Sequence, residues 1–143
     1  MNLQKSLTLS LALVTLLGLA AAGASAQTIS KGSFTLPEDA YWENSLLPAG
    51  QYSIVFDRNT GGSGLISLRG EGVAVRFLAP AGYLVTSSRG RLKLEEVSGT
   101  YYVREFDDSV FGRAFRFSLP KAARQVATSA GVRQTVTVPV SAE

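Results

Sequence analysis

Gly50-Gln51-Tyr52-Ser53-Ile54-Val55-Phe56-Asp57 is the stretch that decides the fold class of this chain. Successive side chains of an extended strand point to opposite faces of a sheet. Tyr52, Ile54 and Phe56 therefore share one face, while Ser53 and Val55 take the other. The same period of two recurs outward from this segment. Val73, Val75 and Phe77 oppose Ala74 and Arg76, Leu92 and Leu94 alternate with Lys93 and Glu95, and Phe115, Phe117 and Leu119 oppose Arg116 and Ser118. Further short runs cover 65–69, 83–86 and 101–106. Between them stand Asn59-Thr60-Gly61-Gly62, Gly70-Glu71-Gly72, Ala79-Pro80-Ala81-Gly82, Ser88-Arg89-Gly90 and Ser98-Gly99, residues that set or tolerate turn dihedrals. Such runs, with turns about every 8–12 residues, predict an all-β domain: a single antiparallel small β-barrel or closed sandwich of about seven to nine strands.

The period changes once. Pro120 suits a first helical position, 121–127 contains three alanines, and Gly131 suits a C-terminal stop, which predicts one short C-terminal helix over 120–130. After it, Val136, Val138 and Val140 alternate with Thr135, Thr137 and Pro139, an edge strand or a loose tail. Pro48-Ala49-Gly50-Gln51-Tyr52 and Pro80-Ala81-Gly82-Tyr83 read as two uses of one turn that leads into a strand.

Residues 1–26 carry an address. Lys5 gives a short positive n-region, Ser6 to Ala20 an apolar core, and Ala24-Ser25-Ala26 a small-residue cleavage site, the order of a secretory signal peptide cut between Ala26 and Gln27. The apolar run of about 15 residues is shorter than the roughly 20 that span a bilayer. The expected organisation is a signal peptide, 1–26, and a single exported β domain, 27–143, with its core over about 33–119, placed in the periplasm or outside the cell. No second apolar run of membrane length follows, so no transmembrane segment and a soluble mature chain are expected.

The chain has no cysteine and no histidine. The first removes disulfides, thiolate metal sites and a lipid-modified cysteine tether. The second removes Ser-His-Asp catalysis, His-ligated metals and the usual proton carrier near neutral pH. No catalytic residue, metal site or cofactor is assigned. The formal net charge of +3 falls by one with loss of Lys5. Arg113, Arg116, Lys121, Arg124 and Arg133 cluster late, read as solvated surface, and export argues against a nucleic-acid partner.

Glu38, Asp39 and Glu43 surround Tyr41-Trp42. Aromatic faces stack on sugar rings and carboxylates bond sugar hydroxyls or cleave glycosides, so these five residues are the ligand-binding candidates. The competing expectation is that Trp42 closes one end of the core while the acids are solvated. Asp107-Asp108 and Glu95-Glu96 are acidic doublets whose members face opposite sides of a strand. Asp107-Asp108, with no D-x-D-x-D-G calcium loop around it, reads as turn solvation. Gly61-Gly62-Ser63-Gly64 lacks the Lys-Ser/Thr of a phosphate loop.

Phe34-Thr35-Leu36-Pro37, Leu47-Pro48-Ala49-Gly50-Gln51-Tyr52, Gly99-Thr100-Tyr101-Tyr102-Val103 and Gly112-Arg113 with Ser118-Leu119-Pro120-Lys121 carry a likeness. Over residues 33–125 the chain resembles a group of small, exported, uncharacterised bacterial all-β proteins with an F-x-L-P … L-P-A-G-x-Y opening. Here Phe115-Arg116-Phe117 separates Gly112-Arg113 from Leu119-Pro120-Lys121 more widely than in that group. The resemblance implies export and an all-β fold, and no activity.

The expected function is that of an exported, non-catalytic β domain with a structural role or an unknown protein or small-molecule partner. Two alternatives stand beside it. One is a carbohydrate-active enzyme using Glu38, Asp39 or Glu43. The other is an apolar-ligand carrier with a cavity lined by Tyr52, Phe56, Phe77 and Phe117.

Overall fold

Tyr52, Ile54 and Phe56 are buried while Gln51 and Ser53 are exposed, so the alternation over 50–57 is that of a strand with one wet face. The computed structural model describes residues 28–58, 64–87, 89–129 and 134–143. Expectations placed on 1–26, 59–63 and Gly131 lie outside the described residues. The strands are β1 (Thr28–Leu36), β2 (Ala40–Trp42), β3 (Ser45–Leu47), β4 (Gly50–Arg58), β5 (Gly64–Gly70), β6 (Val73–Ala79), β7 (Gly82–Leu84), β8 (Gly90–Val97), β9 (Thr100–Asp108), β10 (Arg113–Arg116) and β11 (Thr135–Ala142). One helix, α1 (Lys121–Ser129), precedes the last strand.

Nine strands form a nearly closed, barrel-shaped sheet in the order β3-β2-β9-β8-β11-β1-β4-β5-β6. The predicted all-β class with one short C-terminal helix is therefore the observed one. On the outer flank of β9, β2 pairs with Tyr101 and Tyr102, and β10 pairs with Glu105 to Asp108. Strand β7 adds to β10. The β2–β9 pair is parallel, a departure from a wholly antiparallel sheet. The strand concerned, β2, forms a hairpin with β3, three residues each, about Glu43, whose φ is +54°. Runs this short carry no periodic signal.

Strand β11 is neither an edge nor a tail. It lies between β8 and β1. Pro139 stands opposite Arg91 of β8, whereas pairing with β1 is confined to Ala142 and Ser141. At the proline the strand is thus laddered on one flank, where a missing amide donor is tolerated. Helix α1 starts as expected, with the Arg124 amide donating to the Pro120 carbonyl at 2.9 Å. Ala123 and Ala127, one turn apart, pack on Val97 and Leu119 outside the barrel, with Tyr102 beside them.

Inside, rings fill the space. Trp42 is fully buried and lies 5.3 Å from Phe77, 5.4 Å from Phe117, 6.1 Å from Phe106 and 6.2 Å from Phe34, centroid to centroid. Outside, the register sets transverse rows. Ile29, Asp57, Leu65 and Leu78 form one across β1, β4, β5 and β6, and Lys31, Val55, Ser67 and Arg76 form the next. Strands β1 and β5 begin, and β4 and β6 end, at the same rim. Strand β9 ends there too, since Ser30 Oγ donates to Asp108 Oδ1 at 3.1 Å. This is the Asp108 rim. The β5–β6 turn, with Glu71, marks the opposite one.

Candidate functional site

Three acids near the end of β9, Glu105, Asp107 and Asp108, are 7%, 1% and 3% exposed. The expectation of turn solvation for Asp107-Asp108 is therefore corrected: the strand runs through both residues, and each carboxylate meets its own donors. Asp107 pairs with Arg91 directly across on β8. Asp108 faces the other way and accepts from Ser30 Oγ and from the amides of Val110 (2.8 Å) and Phe111 (3.3 Å), which caps the β9–β10 turn.

A bulge sets this arrangement. From Val97 opposite Thr100 the β8–β9 hairpin runs in regular register to Leu94 opposite Val103, then slips by one residue, so that Lys93 faces Glu105 and Arg91 faces Asp107. Without the slip Lys93 would face Arg104, a repulsive pair. The extra residue is Arg104, and two-against-one pairing of this kind is what a bulge provides. Arg104 Nε reaches Glu95 Oε2 at 2.9 Å, and its Nη1 bonds the Phe117 carbonyl.

Glu105 is the hub. Its carboxylate accepts from Tyr83 Oη at 2.7 Å, from Arg116 Nε at 3.1 Å and from Lys93 Nζ. The Arg116 guanidinium carbon lies 4.9 Å over the Tyr83 ring. Burial alone would raise the Glu105 carboxyl, but the hydrogen bonds from Lys93, Tyr83 and Arg116 outweigh it and hold the group down at about 2. The Tyr83 hydroxyl is pushed up, by burial first and then by the bond to Glu105. A carboxylate fixed in the ionised form gives no general acid near neutral pH. What it does is tie β7, β8 and β10 to β9.

Asp107 Oδ1 and Asp108 Oδ2 are buried without a protein partner among the described residues. They belong to residues that, with Ser30 and Ser109, line a cavity of about 10 Å³. That is room for one water and for no organic substrate. Among the described residues no three acids converge as a metal-holding group.

The residues singled out in the sequence are dispersed. Trp42 is inside the core. Tyr41, half-buried, stacks on Tyr102 at 5.6 Å. Glu38 and Asp39 are exposed before β2 and Glu43 lies in the turn after it, so the strand separates them. Asp39 Oδ1 accepts from the Ala49 amide at 2.8 Å, and Tyr52 Oη donates to the Pro48 carbonyl at 2.8 Å, so both brace the Pro48-Ala49 turn. The Tyr52 hydroxyl is pushed up by burial, then by Asp39. Tyr83, Lys93, Glu105 and Arg116 escape sequence reading because pairings distant in sequence bring them together: the bulged register sets Lys93 across from Glu105, and β10 brings Arg116 and, through β7, Tyr83. No family model, curated protein or solved structure matches this chain.

Proposed function

We propose that this chain is an exported, non-catalytic β-barrel domain that works through its outer surface, with no bound substrate inside. The observation that carries the reading is the filled interior. Each ring that a carrier would turn toward a ligand is packed on another ring: Tyr52 on Phe34 at 5.5 Å, Phe56 on Phe115 at 4.8 Å, and Phe77 on Phe117 at 6.0 Å. The engaged state of Glu105 adds support, since an acid held ionised by three donors is no proton donor near neutral pH and only a weak base. The outer wall over β1, β4, β5 and β6 sets Lys31, Ser33, Ser53, Ser67, Arg69 and Arg76 among the aliphatics Ile29, Val55, Leu65 and Leu78, a mixed wall unlike the continuous apolar band of a membrane-spanning barrel.

The test is native mass spectrometry of the protein expressed from its full sequence and recovered after export. The expected spectrum shows the chain beginning at Gln27, with no adduct. An apolar ligand retained through purification would establish the carrier reading instead. A glycan hydrolysed by the same preparation, with loss of hydrolysis in Glu38→Gln, Asp39→Asn or Glu43→Gln, would establish the enzyme.

A further inference from the structure

The two rims of the barrel differ in chemistry. At the Asp108 rim, aliphatic side chains stand in solvent: Leu78 is 71% exposed, Leu84 77%, Val110 52% and Ile29 41%. Their placement follows from register. Ile29 and Leu78 belong to one transverse row. Leu84 is opposite Arg113, which is opposite Asp108, and Val110 sits in the turn that Asp108 caps. Isolated exposed aliphatics are ordinary, but four at one rim are not scattered.

Cations flank them on both sides. Lys31 and Arg76 occupy the next row, Arg58 ends β4, and Arg89 precedes β8 at the same rim. All four are exposed, and the ion pairs of the described residues use Arg91, Lys93, Arg104 and Arg116 instead. Of the acids near this rim, Asp107 and Asp108 are buried and Asp57 is half-buried, whereas Glu143 is exposed. Glu143 lies level with Lys31, its amide donating to the Lys31 carbonyl at 3.1 Å. Glu38, Asp39, Glu71, Glu95 and Glu96 lie toward the opposite rim.

We propose that the Asp108 rim docks on an anionic phospholipid bilayer, the aliphatic tips entering the headgroup boundary and the cationic collar meeting lipid phosphates. This deepens the surface-binding reading above and rests on it. Exposed aliphatics beside exposed cations that outnumber Glu143 and the half-buried Asp57 are the combination by which peripheral proteins hold such surfaces. A soluble acidic polymer would use the collar but gain nothing from Leu78 and Leu84.

The experiment is flotation of the purified protein with vesicles of one part phosphatidylglycerol to three parts phosphatidylcholine, and with phosphatidylcholine alone. It is run at about 50 mM and about 500 mM salt, where screening lengths differ severalfold. Binding to the anionic vesicles at low salt and release at high salt are expected. Arg76→Glu and Leu78→Glu, both at exposed sites, should each lower the partition coefficient by about tenfold. Lys121→Glu, on the helix, should leave it unchanged. No binding to anionic vesicles, or binding lost with Lys121→Glu and kept with Leu78→Glu, would overturn the proposal. Binding of dextran sulfate that matches vesicle binding in strength and ignores Leu78→Glu would assign the collar to an acidic polymer and overturn it too. An adduct-free native mass without vesicle binding would sink this inference alone, whereas a retained ligand would sink the reading beneath it.

Discussion

Lys93 stands directly across from Glu105 because the β8–β9 ladder slips by one residue between Lys93 and Leu94. That slip turns a repulsive pairing with Arg104 into an attractive one, and Arg104 and Glu105, neighbours in sequence, both serve the outer face. The wall that results is an ionic patch on the outer face of β8 and β9, while α1 packs beside Val97 and Tyr102 near the turn of the same hairpin.

Replacing Glu105 by Gln should cost about 1–3 kcal/mol, the range for loss of a buried, charge-assisted network whose partners can still reach water. Because the folded-state pKa of Glu105 lies below the ordinary 4.5, its stabilisation is complete above that value and is lost as pH falls from there toward 2. Chemical denaturation from pH 6 to about 2.5 should show wild type losing stability over that window, and Glu105→Gln losing less. Parallel curves for the two would show that Glu105 is not the group responsible.

Gly64 owes its place to Phe56. A Cβ there would stand 2.0 Å from Phe56 Cε2, and that ring is held by Phe111 at 5.8 Å and Phe115 at 4.8 Å. Gly64→Ala should therefore destabilise by about 2 kcal/mol or more, where an open strand glycine would tolerate alanine. The melting temperature should drop by roughly 4–8 °C per kcal/mol in a domain of this size. Gly70 under Tyr52 and Gly82 under Phe115 make the same close approach. An unchanged melting temperature in Gly64→Ala would show that the ring is free to swing aside.

Asp108 separates charge from geometry. Asp108→Asn keeps an oxygen for Ser30 Oγ and for the Val110 and Phe111 amides, and should cost less than Asp108→Ala, which strips all three. A difference of about 1–2 kcal/mol between the two variants in urea titrations is the expected outcome. Equal losses would mean that the buried charge, and not the turn cap, is what matters.

Trp42, the only tryptophan, reports the core directly. Trp42→Ala should cost about 3–5 kcal/mol, enough to unfold a marginal domain, and Trp42→Phe distinctly less. The native emission should be blue-shifted and unmoved by added oligosaccharides. A sugar-dependent shift would place the indole at a binding surface.

Much of the fold was legible because strand alternation is a local property. The buried faces at Tyr52, Ile54, Phe56, Leu92, Leu94 and Phe117 follow from their spacing alone. What escaped was set by pairings distant in sequence. Nothing near Pro139 tells that β11 lies between β8 and β1, because only tertiary contacts choose a strand's neighbours. Asp107-Asp108 looked like a turn because acids at a strand end usually meet water. Arg91 and Ser30, the latter 78 residues away along the chain, make burial possible. The acids beside Trp42 drew notice by adjacency, whereas the acid at the centre of the network is surrounded by partners from three other strands.

The most direct test of this account is the titration of the Glu105 carboxyl, followed by carbon-detected NMR of protein labelled at glutamate side chains. An anchoring carboxylate held by Tyr83, Lys93 and Arg116 titrates at about 2 and shifts back toward the ordinary range in Tyr83→Phe. A midpoint at or above 4.5, the ordinary value, would contradict the anchor and reopen Glu105 as a group available for proton transfer.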